Sequence, residues 1–196
     1  MTTMNRPVRV AVFVSGNGTN CENIIRHFAG SGDVEIALVV SNRADAYALT
    51  RAQRLGVPTV VVSKGQLNDE KAMAGILESR GIGFIVLAGF LLMVPHFLIE
   101  GYKGRMVNLH PALLPKFGGK GMYGHHVHEA VKAAGETETG MTVHWVTDEC
   151  DGGGIIEQFS TPISPDDTPD DIARKENALE MEHFPGVIAR VIASIR

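Results

Sequence analysis

The chain has 196 residues, of which 44% are hydrophobic and 20% charged, and its formal net charge at pH 7 is -4. This composition is typical of one soluble globular domain, and the negative charge argues against a broad nucleic-acid-binding surface. The apolar runs are shorter than the roughly 20 residues of a membrane helix, and two cysteines make neither a disulfide framework nor a zinc quartet. We therefore expect a cytoplasmic protein without nucleic-acid or membrane partners.

The first half of the chain alternates apolar runs of strand length with segments of helical periodicity. The sequence predicts strands at 8–14, 34–40, 57–62 and 84–88, and helices at 21–29, 46–55, 68–80 and 95–101. This alternation predicts an α/β fold of the Rossmann-like, doubly wound class with a mostly parallel sheet.

The second half is richer in glycine and in short strands. The sequence predicts strands at 106–109, 140–146 and 155–163, a helix at 128–134, and a final helix from 166–169 to 196. Pro185 should kink or divide that last helix, because proline removes a backbone hydrogen-bond donor. We found no repeat or linker, so residues 1–196 are predicted to form a single domain.

The segment 15–20 (SGNGTN) separates the first strand from the first helix. Backbone N–H groups converge at such a helix start, where the helix dipole favours an anion. The segment lacks both the Gly-Lys-Ser/Thr ending of a P-loop and the GxGxxG pattern of dinucleotide sites. Anion binding and a tight turn capped by Asn and Thr both remain open from spacing alone.

Two further segments carry groups suited to proton transfer. Asn108 and His110 lie two residues apart at a predicted strand end, so their side chains share one face. An amide and an imidazole can stabilise an oxyanion and move a proton, although an isolated pair is more often a capping Asn and an incidental His. In 147–154, acidic residues precede three glycines; they could raise the pKa of a nearby His or form a solvated turn.

Five of the eight histidines lie close together in the sequence: His110, His125, His126, His128 and His144. They include no helical i,i+4 pair and no cysteine cluster at zinc spacing, so we expect no metal.

Taken together, these motifs resemble the folate-dependent phosphoribosylglycinamide formyltransferases. The matching segments are SGNGTN at 15–20, LAGF at 87–90, NLHPALLP at 108–115, GMTVH at 140–144 and DGG at 151–153. NxHPxLLP followed by DGG is specific to the wider formyltransferase group, and SGNGTN favours this member. The resemblance implies the formyltransferase fold, with a phosphate-binding half at about 8–105 and a catalytic, folate-binding half at about 106–196.

The resemblance also implies an activity. Such enzymes transfer a formyl group from 10-formyltetrahydrofolate to the amine of glycinamide ribonucleotide, giving formylglycinamide ribonucleotide and tetrahydrofolate in de novo purine (IMP) biosynthesis. The expected partners are these small molecules, and the chain is expected to be a monomer or a homodimer. Formyltetrahydrofolate hydrolases and methionyl-tRNA formyltransferases share the core but carry additional domains, so the length favours a small acceptor. A non-catalytic binding protein on the same scaffold is a further alternative.

Residue roles carry over from the family position by position. The implied catalytic residues are Asn108, His110 and Asp151, and Asp151 is expected to raise the pKa of His110 and keep it protonated at neutral pH. The implied ribonucleotide contacts are Gly18, Thr19, Asn20, Asn177 and Glu180. The implied folate contacts are Leu91, Leu92, Met93, Val94, Asn108, Thr147, Asp148, Glu149, Cys150 and Asp151. The Gly- and His-rich segment 117–128 departs from the better-known members, and its histidines are given no role.

Overall fold

The structure, a computed structural model, describes residues 6–196, so the first five residues of the predicted domain 1–196 lie outside the described residues. The strands are β1 (Val8–Val14), β2 (Val34–Ser41), β3 (Thr59–Val61), β4 (Phe84–Leu87), β5 (Met106–His110), β6 (Glu138–Trp145) and β7 (Ile155–Pro162). The helices are α1 (Thr19–Phe28), α2 (Tyr47–Arg54), α3 (Lys64–Leu67), α4 (Glu70–Glu78), α5 (His96–Gly101), α6 (His125–Ala133) and α7 (Pro169–Ser194). The sheet has the strand order β3-β2-β1-β4-β5-β6-β7.

The backbone divides into two compact units, and each has its own strand pairing. Unit 1 consists of residues 6–106 with Ile188–Arg196, and unit 2 consists of Val107–Val187. In unit 1, β1 pairs in parallel with β2 and β4, and β2 pairs in parallel with β3. Every residue of β1 from Val10 to Val14 is buried, as expected for the inner strand of a parallel sheet covered on both faces.

Unit 2 contains the antiparallel part of the sheet, in which β6 pairs with β5 and with β7. The register places Asn108 opposite His144 and His110 opposite Thr142. Directly opposite residues of an antiparallel pair project from the same face, so one face of these two strands carries four polar side chains.

Three helices differ from the sequence prediction. The helix predicted at 68–80 corresponds to α4, which Asp69 caps by accepting the Ala72 N–H, and the short helix α3 that precedes it was not predicted. The helix predicted at 128–134 begins earlier, at His125. Pro185 does not divide the last helix, which is continuous over Pro169–Ser194. No helix within residues 6–196 combines the length and apolar character needed to cross a membrane.

Candidate active site

The polar face of β5 and β6 carries an amide and two imidazoles. Asn108 Nδ2 lies 3.0 Å from His144 Nε2. His110 and His144 are almost fully buried, with exposed fractions of 3% and 2%, whereas Asn108 is half-buried. The pairing of β5 with β6 therefore places two buried imidazoles and one half-buried amide on the same face of these two strands.

Asp151 reaches these histidines from the connection between β6 and β7. Its φ is 55°, in the left-handed region that a non-glycine residue rarely adopts. The turn is tight, because a Cβ at Gly153 would lie 1.7 Å from the Trp145 carbonyl oxygen. Glycine at 153 thus lets the chain fold back on β6 and present the Asp151 carboxylate.

The two oxygens of Asp151 face different histidines. Oδ2 lies 3.6 Å from His110 Nδ1, and Oδ1 lies 3.5 Å from His144 Nε2. Oδ2 also accepts the Gly119 N–H at 2.9 Å. Burial alone would raise the pKa of Asp151, but the contacts with His144 and Gly119 and the charge of His110 outweigh it and lower that pKa. The carboxylate is therefore ionised at neutral pH.

His110 contradicts one expectation from the sequence. Its Nε2 lies 2.7 Å from the Phe117 carbonyl oxygen, which can only accept, so Nε2 carries a proton. Burial lowers the pKa of His110 by more than Asp151 and the Phe117 carbonyl raise it. The expectation that Asp151 keeps His110 protonated at neutral pH was wrong. Burial destabilises the imidazolium by more than the attraction of the Asp151 carboxylate, 3.6 Å away, stabilises it.

His144 belongs to this cluster, although the sequence analysis gave it no role. Its Nδ1 lies 2.9 Å from the Trp145 carbonyl oxygen, so Nδ1 donates. In the neutral ring, Nε2 then accepts from Asn108 Nδ2, which fixes the direction of that amide. The sequence did contain a signal. Thr142 and His144 lie two residues apart on a predicted strand, as Asn108 and His110 do, so antiparallel pairing of the two strands could place all four side chains on one face.

The backbone that follows His110 is anchored by Thr142. The Thr142 hydroxyl donates to the Ala112 carbonyl at 2.6 Å and accepts the Leu114 N–H at 3.1 Å. Gln158 Nε2 donates to the same hydroxyl and to the Leu114 carbonyl, each at 2.9 Å. This buried network limits the freedom of the chain between the end of β5 and Phe117.

The segment 15–20 lies in unit 1, between β1 and α1. Gly18 is the N-cap of α1 with φ 77°, so neither an Asn nor a Thr occupies the capping position that the tight-turn interpretation expected. A Cβ at Gly18 would lie 2.3 Å from the Ala48 Cβ. Ser15 at the end of β1 donates to Asn42 Oδ1 at 2.5 Å and accepts the Leu91 N–H at 2.9 Å. Because the N-cap residue Gly18 has no side chain, it offers no side-chain acceptor to the first N–H groups of α1.

The remaining predicted contacts are distributed over both units. In unit 1, Leu91 and Met93 follow β4 with exposed fractions of 52% and 57%, whereas Val94 is buried. In unit 2, residues 147–151 form the turn that carries Asp151. Asn177 and Glu180 lie one turn apart on α7, with Asn177 Nδ2 3.4 Å from Glu180 Oε2.

Of the five histidines grouped in the sequence analysis, the other three lie in the first turn of α6. His125 and His126 are exposed and face the carboxylate of Glu129. His128 is nearly buried, and its Nδ1 lies 2.6 Å from Glu176 Oε2. Within the part of the chain that the structure describes, no group of three His, Cys, Asp or Glu side chains is arranged to hold a metal ion.

The sequence model of the family described as formyl transferase matches residues 8–188. The chain belongs to the formyl transferase family. The resemblance inferred from the sequence motifs is thereby confirmed, as is the α/β class with a mostly parallel sheet.

Individual relatives of this formyl transferase carry one recurring name. The chain is 36% identical over 186 residues to the phosphoribosylglycinamide formyltransferase of Haemophilus influenzae, covering 92% of this chain and 85% of that one. It is 36% identical over 184 residues to the chloroplastic enzyme of that name from Arabidopsis thaliana, covering 91% of this chain but only 62% of the plant protein. The solved phosphoribosylglycinamide formyltransferase of Coxiella burnetii has a TM-score of 0.86 at 38% identity and covers 96% of this chain and 89% of that one.

Proposed function

We propose that this formyl transferase moves the formyl group of 10-formyltetrahydrofolate to the amine of glycinamide ribonucleotide, in the formyl-transfer step of de novo purine (IMP) biosynthesis. The observation that carries the proposal is the cluster in unit 2, where the Asp151 carboxylate lies between His110 and His144. The names of the relatives support the acceptor and the transferred formyl group, and membership of the formyl transferase family supports the formyl-folate donor. The partners are these two small molecules, and we place the enzyme, a monomer or a homodimer, in the cytoplasm without membrane or nucleic-acid contacts.

The reaction passes through a tetrahedral intermediate with a negatively charged oxygen. The amine nitrogen forms a bond to the formyl carbon, and the carbonyl oxygen takes the electron pair of the C=O π bond. Asn108 Nδ2 carries two hydrogens, of which one is directed at His144, so the other is available to this oxygen. A donor of this kind contributes about 3–4 kcal/mol to lowering the barrier. The Nε2 hydrogen of His110 is already bonded to the Phe117 carbonyl, so His110 can add a second donor only through Nδ1, once the ring has taken up a proton.

Proton movement completes the transfer. The attacking amine must lose a proton, and the N10 nitrogen of the folate must gain one as its bond to the formyl carbon breaks. Asp151 is the group suited to carry this proton, since it is ionised and only partly buried. Because the pKa of His110 is lowered, we propose that His110 is neutral before the attack. It takes up the amine proton at Nδ1 by way of Asp151 only as the oxyanion forms, and the same proton then passes to N10. No covalent intermediate on the enzyme is required.

Substrate binding is assigned to groups outside this cluster. We propose that the backbone of Gly18, Thr19 and Asn20 binds the ribonucleotide phosphate, with Asn177 and Glu180 as further contacts for this substrate. The folate is assigned to the segments 91–94 and 147–151 and to Asn108. Leu91, Met93 and residues 147–149 are exposed and thus accessible to a ligand.

A spectroscopic assay of tetrahydrofolate release tests the proposal. The purified chain with glycinamide ribonucleotide and 10-formyltetrahydrofolate should form formylglycinamide ribonucleotide. His110→Ala should lower kcat by about 10²–10⁴, the range for a positioned proton-transfer group. His27→Ala, which changes an exposed histidine on α1, is the control and should keep its rate. Release of formate without an acceptor, or full activity of His110→Ala, would contradict the proposal.

A further inference from the structure

Arg51, on α2, forms hydrogen bonds with the segment 15–20. Arg51 Nε donates to the Asn17 carbonyl oxygen at 2.9 Å, and its Nη2 donates to Asn17 Oδ1 at 3.2 Å. Its Nη1 donates to the carboxylate of Glu22 on α1. The guanidinium also lies over the Tyr47 ring, 4.8 Å from the ring centroid. Every nitrogen of this fork therefore has a partner in unit 1.

These bonds act on the residue that directly precedes Gly18. Asn17 is exposed, and both its main chain and its side chain are bound by one guanidinium. Two other contacts link the same segment to α2: the Ala48 N–H donates to the Gly16 carbonyl at 3.1 Å, and Gly18 packs against Ala48. The orientation of the Gly18, Thr19 and Asn20 amides thus depends on how α2 holds Gly16 and Asn17.

We infer that Arg51 is a positioning residue of the ribonucleotide phosphate site. This inference rests on the proposed function, in which Gly18–Asn20 bind that phosphate. Arg51 acts through Asn17, since its donors are directed at the Asn17 oxygens and at Glu22, and it fixes the backbone amides before the substrate arrives. Preorganised donors bind a ligand more tightly, because no conformational entropy of the segment is lost on binding.

The geometry requires arginine rather than positive charge alone. The planar fork reaches two oxygens of Asn17 and the Glu22 carboxylate together, whereas a lysine ammonium is a single point donor on a flexible stem. Arg51→Lys keeps the charge, and therefore separates positioning from long-range attraction of the phosphate. The matched control is Arg54→Ala on the same helix, because Arg54 donates to the Tyr47 hydroxyl at 3.0 Å rather than to the segment 15–20.

Steady-state kinetics give the first test. Arg51→Lys and Arg51→Ala should raise KM for glycinamide ribonucleotide about tenfold, while kcat and KM for the folate change less than about twofold. Arg54→Ala should match the wild type. A role limited to stability would lower the melting temperature of the Arg51 variants and leave KM for the ribonucleotide unchanged, and that result would overturn the inference.

A binding experiment separates this inference from the proposed function. Inorganic phosphate is titrated into the isotope-labelled whole chain, and the backbone amide signals of Gly18, Thr19 and Asn20 are followed by NMR. Saturable shifts in the wild type that need about tenfold more phosphate in Arg51→Lys support the positioning role, even if formyl transfer to glycinamide ribonucleotide fails. No response of these amides in the wild type, or equal response in the variant, would refute it.

Discussion

Both units hold polar groups in fixed directions, but unit 1 uses backbone groups and unit 2 uses side chains. In unit 1, the segment 15–20 offers backbone N–H groups at a helix start, and a glycine with positive φ allows the approach of α2. In unit 2, the cluster is made of side chains, and its two histidines are almost fully buried. The first arrangement depends on the path of the main chain, whereas the second depends on ionisation and hydrogen-bond direction.

This difference determines how each region responds to change. Backbone N–H groups do not titrate. Phosphate binding at Gly18–Asn20 should therefore be sensitive to an added Cβ but insensitive to the protonation of enzyme side chains. The cluster of Asn108, His110, His144 and Asp151 should respond to substitutions that preserve shape but remove charge.

The largest effect is expected for Asp151→Asn. The substitution preserves size but removes the group that accepts a proton and the negative charge between the two histidines, so kcat should fall by about 10²–10⁴. KM for the ribonucleotide should change little, because the phosphate segment is untouched. Steady-state kinetics with both substrates give the two constants separately. Asp166→Asn, in an exposed turn, is the control. A purely raised KM would assign Asp151 to binding rather than to chemistry.

A smaller and different effect is expected for Gly18→Ala. The new Cβ would lie 2.3 Å from Ala48 and would sit on a backbone with φ 77°, so the segment must shift. We expect KM for the ribonucleotide to rise about 10- to 100-fold with kcat largely retained. Gly30→Ala is the control at the other end of α1, because Gly30 has the same φ of 77° but no atom within 4 Å of the added Cβ. If both variants behaved alike, backbone strain rather than the shifted amides would be responsible.

The sequence predicted the trio of the cluster but not its electrostatics. Asn108, His110 and Asp151 were found from motif and resemblance, and strand alternation places the first two on one face. His144 was missed because its partner Asn108 comes from another strand, and the pairing register is a tertiary property. The predicted pKa direction of His110 was wrong because the resemblance identifies the charged partner Asp151, whereas desolvation depends on everything packed around the ring.

The same reasoning explains the differences in the helices. The helix α3 was missed because it is only four residues long and shows no apolar periodicity; its signal was the capping box of Ser63 and Gln66. The alternation of strands and helices was predictable because apolar periodicity is a local property. The contacts of Arg51 with Asn17 and Glu22 were not, since they join residues far apart in the chain.

The smallest effect concerns stability, and its sign follows from the lowered pKa of His110. In the unfolded chain this histidine binds a proton below about pH 6.5, whereas the folded chain binds it only at lower pH. The unfolded state therefore holds more protons as the pH falls from 7 through this range, and the folded wild type loses stability by up to about 1.4 kcal/mol per pH unit. His110→Gln retains a donor for the Phe117 carbonyl but has no proton to gain.

We therefore expect the stability advantage of the wild type over His110→Gln to shrink as the pH falls below about 6.5. Urea unfolding of both proteins at several pH values between 7.5 and 5 measures this difference. Asp151 does not obscure it, because its pKa is lowered and it stays ionised over this range in the wild type. The seven other histidines are present in both proteins, so their contributions to the difference largely cancel. An advantage that grows on acidification would mean that His110 is protonated more readily in the folded state, and that attraction by Asp151 outweighs burial after all.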